Sequence, residues 1–180
     1  MKLSTEERER RKRESMIETA KQYSTSSYCR KFVARIFQRM IRAEAGAHPG
    51  LFAPAIVDGV IKQVPRVKGQ CVCVTCGKVH AWDSGIKGMH TGHFLASRRN
   101  SILLEEDNCH PQCSGCNYYA SGKANEFRQW MMVMKGLAVI ERLEKLKTES
   151  VSFSHDELVD MNIAFTKRLN AAQERMKELT

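Results

Sequence analysis

At 180 residues the chain has room for one domain, or a small core with helical extensions. Its 42% hydrophobic content excludes wholesale disorder, and with no apolar run of about 18 residues it has no membrane-spanning helix. Twenty-nine Lys and Arg against 20 Asp and Glu give a net charge of +9 and a pI near 9.3, a balance that favours a polyanionic partner because each cation beside a phosphate releases condensed counterions.

The first segment, "MKLSTEERERRKRES", carries charge with no apolar stretch behind it, so it does not read as a secretory signal and an intracellular, reducing location is expected. Residues 5–22 read as a solvated helix with i,i+4 ion pairs, or a frayed arm. In "YCRKFVARIFQRMIRAEAG" (28–46), Phe32, Val33, Ile36, Phe37, Met40 and Ile41 recur at helical spacing, and Gly46 is a stop signal. The opposite face carries Arg30, Lys31, Arg35, Arg39 and Arg42, which suits either phosphate contact or simple solvation. Residues 47–69, rich in Pro and Gly, read as a connector with a turn or two of helix.

From Gln70 to about Gly122 the texture changes to cysteines, histidines and glycines, a segment too poor in apolar residues to hold itself together without a staple. Beyond it, 124–136 and 137–147 have helical spacing. Residues 153–179 open with the capping box Ser154 and Glu157 and the staple pair Phe153 and Leu158. Leu158, Met161, Phe165, Leu169, Ala172, Met176 and Leu179 then mark one face, available to the core or to a partner helix.

Seven cysteines, an odd number, argue for metal ligation over disulfides in a reducing compartment. Two Cys-x-x-Cys pairs, Cys73 with Cys76 and Cys113 with Cys116, are separated by the 36 residues 77–112. Two such turns supply the four converging thiolates that Zn²⁺ prefers. Zinc binding contributes on the order of 10–16 kcal/mol, whereas closing this loop costs roughly 3 kcal/mol plus a constant. Cys71 and Cys109 are alternative ligands by spacing, and with Cys29 they also suit small buried hydrophobes.

The loop between the pairs holds "GMHTGHFLASRRN" and "LLEEDNCHPQC". The order Cys-x-x-Cys, Gly-His-Phe, Asn-x-His-x-x-Cys-x-x-Cys-Asn, Ser-Gly resembles the phage lambda NinG (Rap) recombination endonucleases, which in turn resemble the HNH, or ββα-metal, nucleases. The resemblance covers about residues 70–147 and rests on "TGHF", "HPQC" and "CNYYASGK". It implies an α+β fold, with a zinc-stapled ββα-metal (HNH-like) core at 70–122. The helical arm and connector 1–69 would precede that core. The helices of 123–180 would follow, packing on it or forming a dimer interface.

The same resemblance implies roles. His93 matches the general base, a task suited to an imidazole with an ordinary pKa near 6.5. Asn117 matches the ligand of a catalytic Mg²⁺ or Mn²⁺. Asn108 matches the middle Asn of the HNH pattern, which braces the hairpin loop, and His110 fills a position for a second ligand or an orienting residue. Endonuclease VII-type sites place Asp before the base, where this chain has Gly92, so the second ligand stays open among Asp107, His110, His90 and Asp83, or His93 itself with another residue as base. Arg98, Arg99, Lys123, Arg35 and Arg39 are candidate phosphate contacts.

The expected function is metal-dependent hydrolysis of DNA phosphodiesters in branched recombination intermediates, by a phage or prophage protein in the host cytoplasm. A homodimer would suit symmetric cutting. The alternative is a non-catalytic zinc-ribbon DNA-binding or adaptor protein, with no use for His93 beside Asn117. A thiol oxidoreductase is disfavoured because the βαβ context is missing.

Overall fold

The computed structural model describes residues 4–96 and 99–178, a mixed α+β arrangement of helices and three two-stranded antiparallel sheets. Helix α1 (Thr5–Ala20) starts where the Ser4 hydroxyl accepts from the Glu7 amide. Arg10–Glu14 and Arg11–Glu7 pairs lace its exposed surface, and Ile17 and Ala20 are buried in its last turns. Ser24 caps α2 (Thr25–Tyr28), which passes through a π-helical turn at Cys29–Val33 into α3 (Ala34–Ala47). The helix expected at 28–46 therefore begins earlier, because Ser24 offers an N-cap.

Val33, Phe37 and Met40 turn inward as expected, and Arg35 and Arg39 are exposed. Arg42 departs from the solvated set. Its Nε donates to the Trp82 carbonyl at 3.1 Å and its Nη1 to Thr91 Oγ1 at 3.1 Å.

The reading of 47–69 as a partly helical connector is corrected. Strands β1 (Phe52–Val57) and β2 (Val60–Pro65) form a hairpin in full register, turning at Asp58 (φ 53°) and Gly59 (φ 79°). Asp-Gly is the pair that tolerates two consecutive left-handed residues in a tight hairpin turn. Pro54 and Pro65 disguise the strands, since proline normally argues against them. The Pro54 carbonyl instead accepts from the Trp130 indole at 2.9 Å.

Strands β3 (Gln70–Val72) and β4 (Val79–Ala81) flank the first cysteine pair. Strands β5 (Met89–His93) and β6 (Cys109–Cys113) pair from Met89 opposite Cys113 to His93 opposite Cys109. Between them lie the short helix α4 (Asn100–Leu103) and a 3₁₀ turn at Glu106–Asn108. A second π-helical turn, Gly115–Tyr119, leads into α5 (Ala124–Met134). Gly136 (φ 86°) separates this helix from α6 (Leu137–Thr148). Helix α7 (His155–Lys177) carries the anticipated capping box.

Phe37, Met40, Trp82, Met89, Leu169 and Ala172 form one buried cluster that includes Cys71, Cys73, Cys109, Cys113 and Cys116. The stripe of α7 packs within the chain on α3, with the Phe165 and Phe37 rings 5.1 Å apart; Leu179 lies outside the described residues. Arg168 of α7 adds a two-way clamp, reaching Glu44 at 2.9 Å and Glu106 of the 3₁₀ turn at 2.9 Å. No described helix is long and apolar enough to cross a membrane.

Phe37 joins α7 to the hairpin layer. Phe37→Ala is expected to lower stability by about 3–5 kcal/mol, seen as a fall in the urea midpoint at unchanged m-value.

Candidate metal centre and adjoining cleft

The Sγ atoms of Cys73, Cys76, Cys113 and Cys116 all lie within 4.8 Å of one another. The Cys76 and Cys113 sulfurs are 3.7 Å apart. A tetrahedral ion with bonds of about 2.3 Å needs sulfurs about 3.8 Å apart, so this donor set fits zinc.

Local backbone geometry makes the convergence possible. The Cys76 and Gly77 amides both donate to the Cys73 carbonyl, the latter with Gly77 at φ 74°. On the other side, the Ala120 amide donates to the Gly115 carbonyl at 2.9 Å, the wide spacing of a π turn.

Without a cation the sulfurs must share protons. The Cys73 thiol is drawn down, first by its hydrogen bond with Cys76 and then by Thr75. The Cys76 thiol is pushed up by its hydrogen bond with Cys73, and Cys116 rises through burial.

Cys71 and Cys109 do not join the cluster. The Cys71 thiol is buried, raised to about 12, and donates to the Arg42 carbonyl at 3.1 Å. Burial likewise raises Cys109 and Cys29. All three are core thiols.

A buried string runs from this knuckle towards the end of the π turn. Thr75 Oγ1 lies 3.4 Å from the Cys73 sulfur and accepts from Gln112 Nε2 at 3.0 Å. The same Nε2 donates to the Gly122 carbonyl at 2.7 Å. Gln112 also explains Gly92. A Cβ there would sit 2.4 Å from Gln112 Oε1 and 2.9 Å from its Cβ. An aspartate at 92 would therefore collide with the glutamine side chain.

Asn117 follows the last cysteine, and its Nδ2 donates to His90 Nδ1 at 3.3 Å. His90 Nε2 donates in turn to the Ile86 carbonyl at 2.7 Å. That second bond fixes the tautomer, since a carbonyl accepts only from a protonated nitrogen, and it leaves the Nδ1 lone pair towards Asn117. The amide of Asn117 exchanges Oδ1 and Nδ2 by a half-turn. His90 and Asn117 are thus one imidazole nitrogen and one carboxamide oxygen suited to a divalent ion.

His93, the last residue of β5, lines a cavity of about 710 Å³ together with Asn117, Gly122, Ala124 and Lys147. His90 and His93 are an odd number of residues apart, so their side chains leave opposite faces of the strand. His93 Nε2 faces the Leu103 carbonyl at 3.4 Å. Burial lowers its pKa below the ordinary 6.5, and the bond to Leu103 only partly offsets this.

The remaining candidates are distributed as follows. Asn108 is fully buried. Its Oδ1 accepts from the Leu95 amide at 2.8 Å, and its Nδ2 donates to the Leu95 and Ile102 carbonyls. It therefore braces the loop beyond His93. His110 lines a separate cavity beneath α5, its ring 4.6 Å from Trp130, its Nε2 at the Asp107 carbonyl and its pKa lowered to about 4 by burial.

Asp107 is engaged by Lys135 and Arg142. Lys123 pairs with Glu126 at 3.0 Å, and Arg99 Nη1 donates to the Thr148 carbonyl. Arg98 lies outside the described residues. Lys147 in the cleft was not singled out by the sequence, because it reads there as one more cation at a helix C-terminus.

A Cys₄ cluster beside a cleft lined by His93, set among helices and short hairpins, defines a small α+β protein with a knuckle able to hold a metal ion. The family model described as Bacteriophage Lambda NinG protein matches residues 53–175, and the chain belongs to that family. No curated protein and no solved structure was found to match it.

The purified chain is expected to carry one zinc per molecule by elemental analysis. Cys113→Ala should abolish it, while Cys71→Ala and Cys109→Ala should retain it. A strong chelator should lower the melting temperature of wild type and leave that of Cys113→Ala unchanged.

Proposed function

We propose that this protein is a metal-dependent DNA endonuclease of the ββα-metal (HNH-like) type, acting on branched recombination intermediates. The observation that carries the reading is that Asn117 lines one cleft with His93 while its amide lies 3.3 Å from His90 Nδ1. A zinc-ribbon adaptor has no need for either arrangement.

In this reading, His90 and Asn117 are the protein ligands of a hard divalent cation, Mg²⁺ or Mn²⁺, which when bound supplies charge neutralisation at the phosphate and the leaving 3′ oxygen. Asn117 is held in place because the cysteine before it is a zinc ligand, and rigid supports keep reacting groups in position. His90 is oriented from behind by the Ile86 carbonyl. His93 is the general base. Its Nε2 proton is held at Leu103, which leaves Nδ1 to take a proton from the attacking water. Asn108 fixes the loop that carries the cleft's edge. Lys147 offers the phosphate a positive charge.

His90 stands in place of the missing aspartate. With Gly92 overlain by Gln112, a ligand on this side of the hairpin comes from two positions earlier. His110, enclosed by Trp130 and Phe127, has no part in the cation site in this scheme.

The test is cleavage of a four-way DNA junction in Mg²⁺ or Mn²⁺. His93→Ala should lower the rate at saturating metal by about 10²–10⁴-fold. His90→Ala and Asn117→Ala should instead raise the Mn²⁺ concentration needed for half-maximal rate. Failure of the wild type to cut any DNA structure would favour the adaptor; equal cutting by wild type and His93→Ala would remove His93 as base.

A pH profile adds a second check. A base must be neutral to act, so activity falls as pH drops through the His93 pKa. Because burial lowers that pKa, the acid limb should have its midpoint below 6.5.

A further inference from the structure

Three large apolar side chains are the most exposed of their kind among the described residues: Ile86 at 88%, Tyr119 at 81% and Tyr118 at 76%. They come from two segments far apart in sequence that the His90–Asn117 contact brings together. Tyr118 and Tyr119 directly follow Asn117, and the backbone carbonyl of Ile86 holds His90 Nε2. Three strongly exposed apolar residues thus come from the two segments that the His90–Asn117 contact joins.

Leaving such groups in water is unfavourable, and their grouping marks an interaction surface. The tyrosine rings lie 5.2 Å apart and nearly perpendicular, at 86°. Ser121, Gly122 and Lys123 follow in the left-handed region at φ 49°, 83° and 49°, ending the π turn so that no continuing helix covers the rings.

We propose that Tyr118 and Tyr119 stack on a base face left open at a DNA branch point, with Ile86 wedged beside it, so that this rim selects branched over continuous duplex. The identification of the partner as DNA rests on the nuclease reading above and on the excess of 29 cations over 20 anions. Bases in an intact duplex bury their faces on one another, whereas a branch point or flap leaves a face free. Aromatic side chains stack on free faces irrespective of sequence, and apolar side chains enter opened base steps. A rim of this kind discriminates structure without reading sequence.

The experiment measures binding by the zinc-loaded full chain, with Ca²⁺ replacing Mg²⁺ or Mn²⁺. The DNAs are a four-way junction, a linear duplex of the same sequence, and the junction with abasic sites at the branch. Tyr118→Ala/Tyr119→Ala is expected to lose about ten- to a hundredfold in junction affinity and less than twofold on duplex. Tyr118→Phe/Tyr119→Phe should restore junction binding, which separates loss of stacking from loss of folding. Wild type and the double alanine variant should bind the abasic junction equally, because the base they differ over is gone.

Equal losses on junction and duplex would overturn the proposal. So would no loss at all, or a tyrosine effect that survives on the abasic junction. A variant that binds junctions normally but has lost self-association would assign the rim to a protein interface instead. If wild type discriminates the junction but never cuts DNA, the nuclease reading falls and this inference stands. If it cuts but binds all three DNAs alike, this inference falls alone.

Discussion

Convergence of four cysteine sulfurs is the constraint on which the rest of the structure depends. The two knuckles come from segments whose strands are only three and five residues long. Hairpins that short are marginal in water. A metal ion held there would tie them at one point, remove most of the freedom between residues 73 and 116, and contribute its binding to the folding free energy. Everything proposed for the cleft inherits its position from that tie. Asn117 directly follows Cys116, and Gln112 spans from Thr75 at the first knuckle to Gly122 beyond the second.

The helices complete what the knuckle cannot supply. Helix α3 packs on both β5 and β6 and receives the stripe of α7 on another side, so Phe37 and Met40 sit where all of these meet. Arg168 extends the same layer to the 3₁₀ turn ahead of β6. Its guanidinium is paired with Glu44 and Glu106, a bidentate arrangement that Lys would not reproduce. Helix α5 closes the opposite side over His110, and its Trp130 reaches the first hairpin. The metal region is therefore enclosed by elements from both ends of the chain.

Features governed by local chemistry were legible in the sequence. Ser154 and Glu157 formed their capping box, Gly136 ended a helix, and the two Cys-x-x-Cys pairs met, because each depends on residues close together in the chain or on a strong shared ligand. Residues 52–65 were misread because two prolines masked a strand pattern whose real signal was Asp58-Gly59. In the site, Asn117 and His93 line one cleft. The contact between Asn117 and His90 was harder to see. It depends on strand alternation and on Gln112 filling the space over Gly92, and both require knowing which residues face each other across the hairpin. Arg42 was misplaced for a related reason, since its bonds to Trp82 and Thr91 are long-range.

The π turn at 115–119 has one consequence of its own. A backbone ring widened by a residue is a less favourable coil than the ordinary helix, and it could relax to the tighter winding by shedding a single amino acid. Doing so would swing everything after Cys116 around the axis, turning the amide of Asn117 away from His90 while every side chain stayed the same. In the stretch from Cys113 to Lys123 the number of residues is thus a tighter requirement than their identity. Relatives of this chain should vary freely at some of these positions yet rarely gain or lose one.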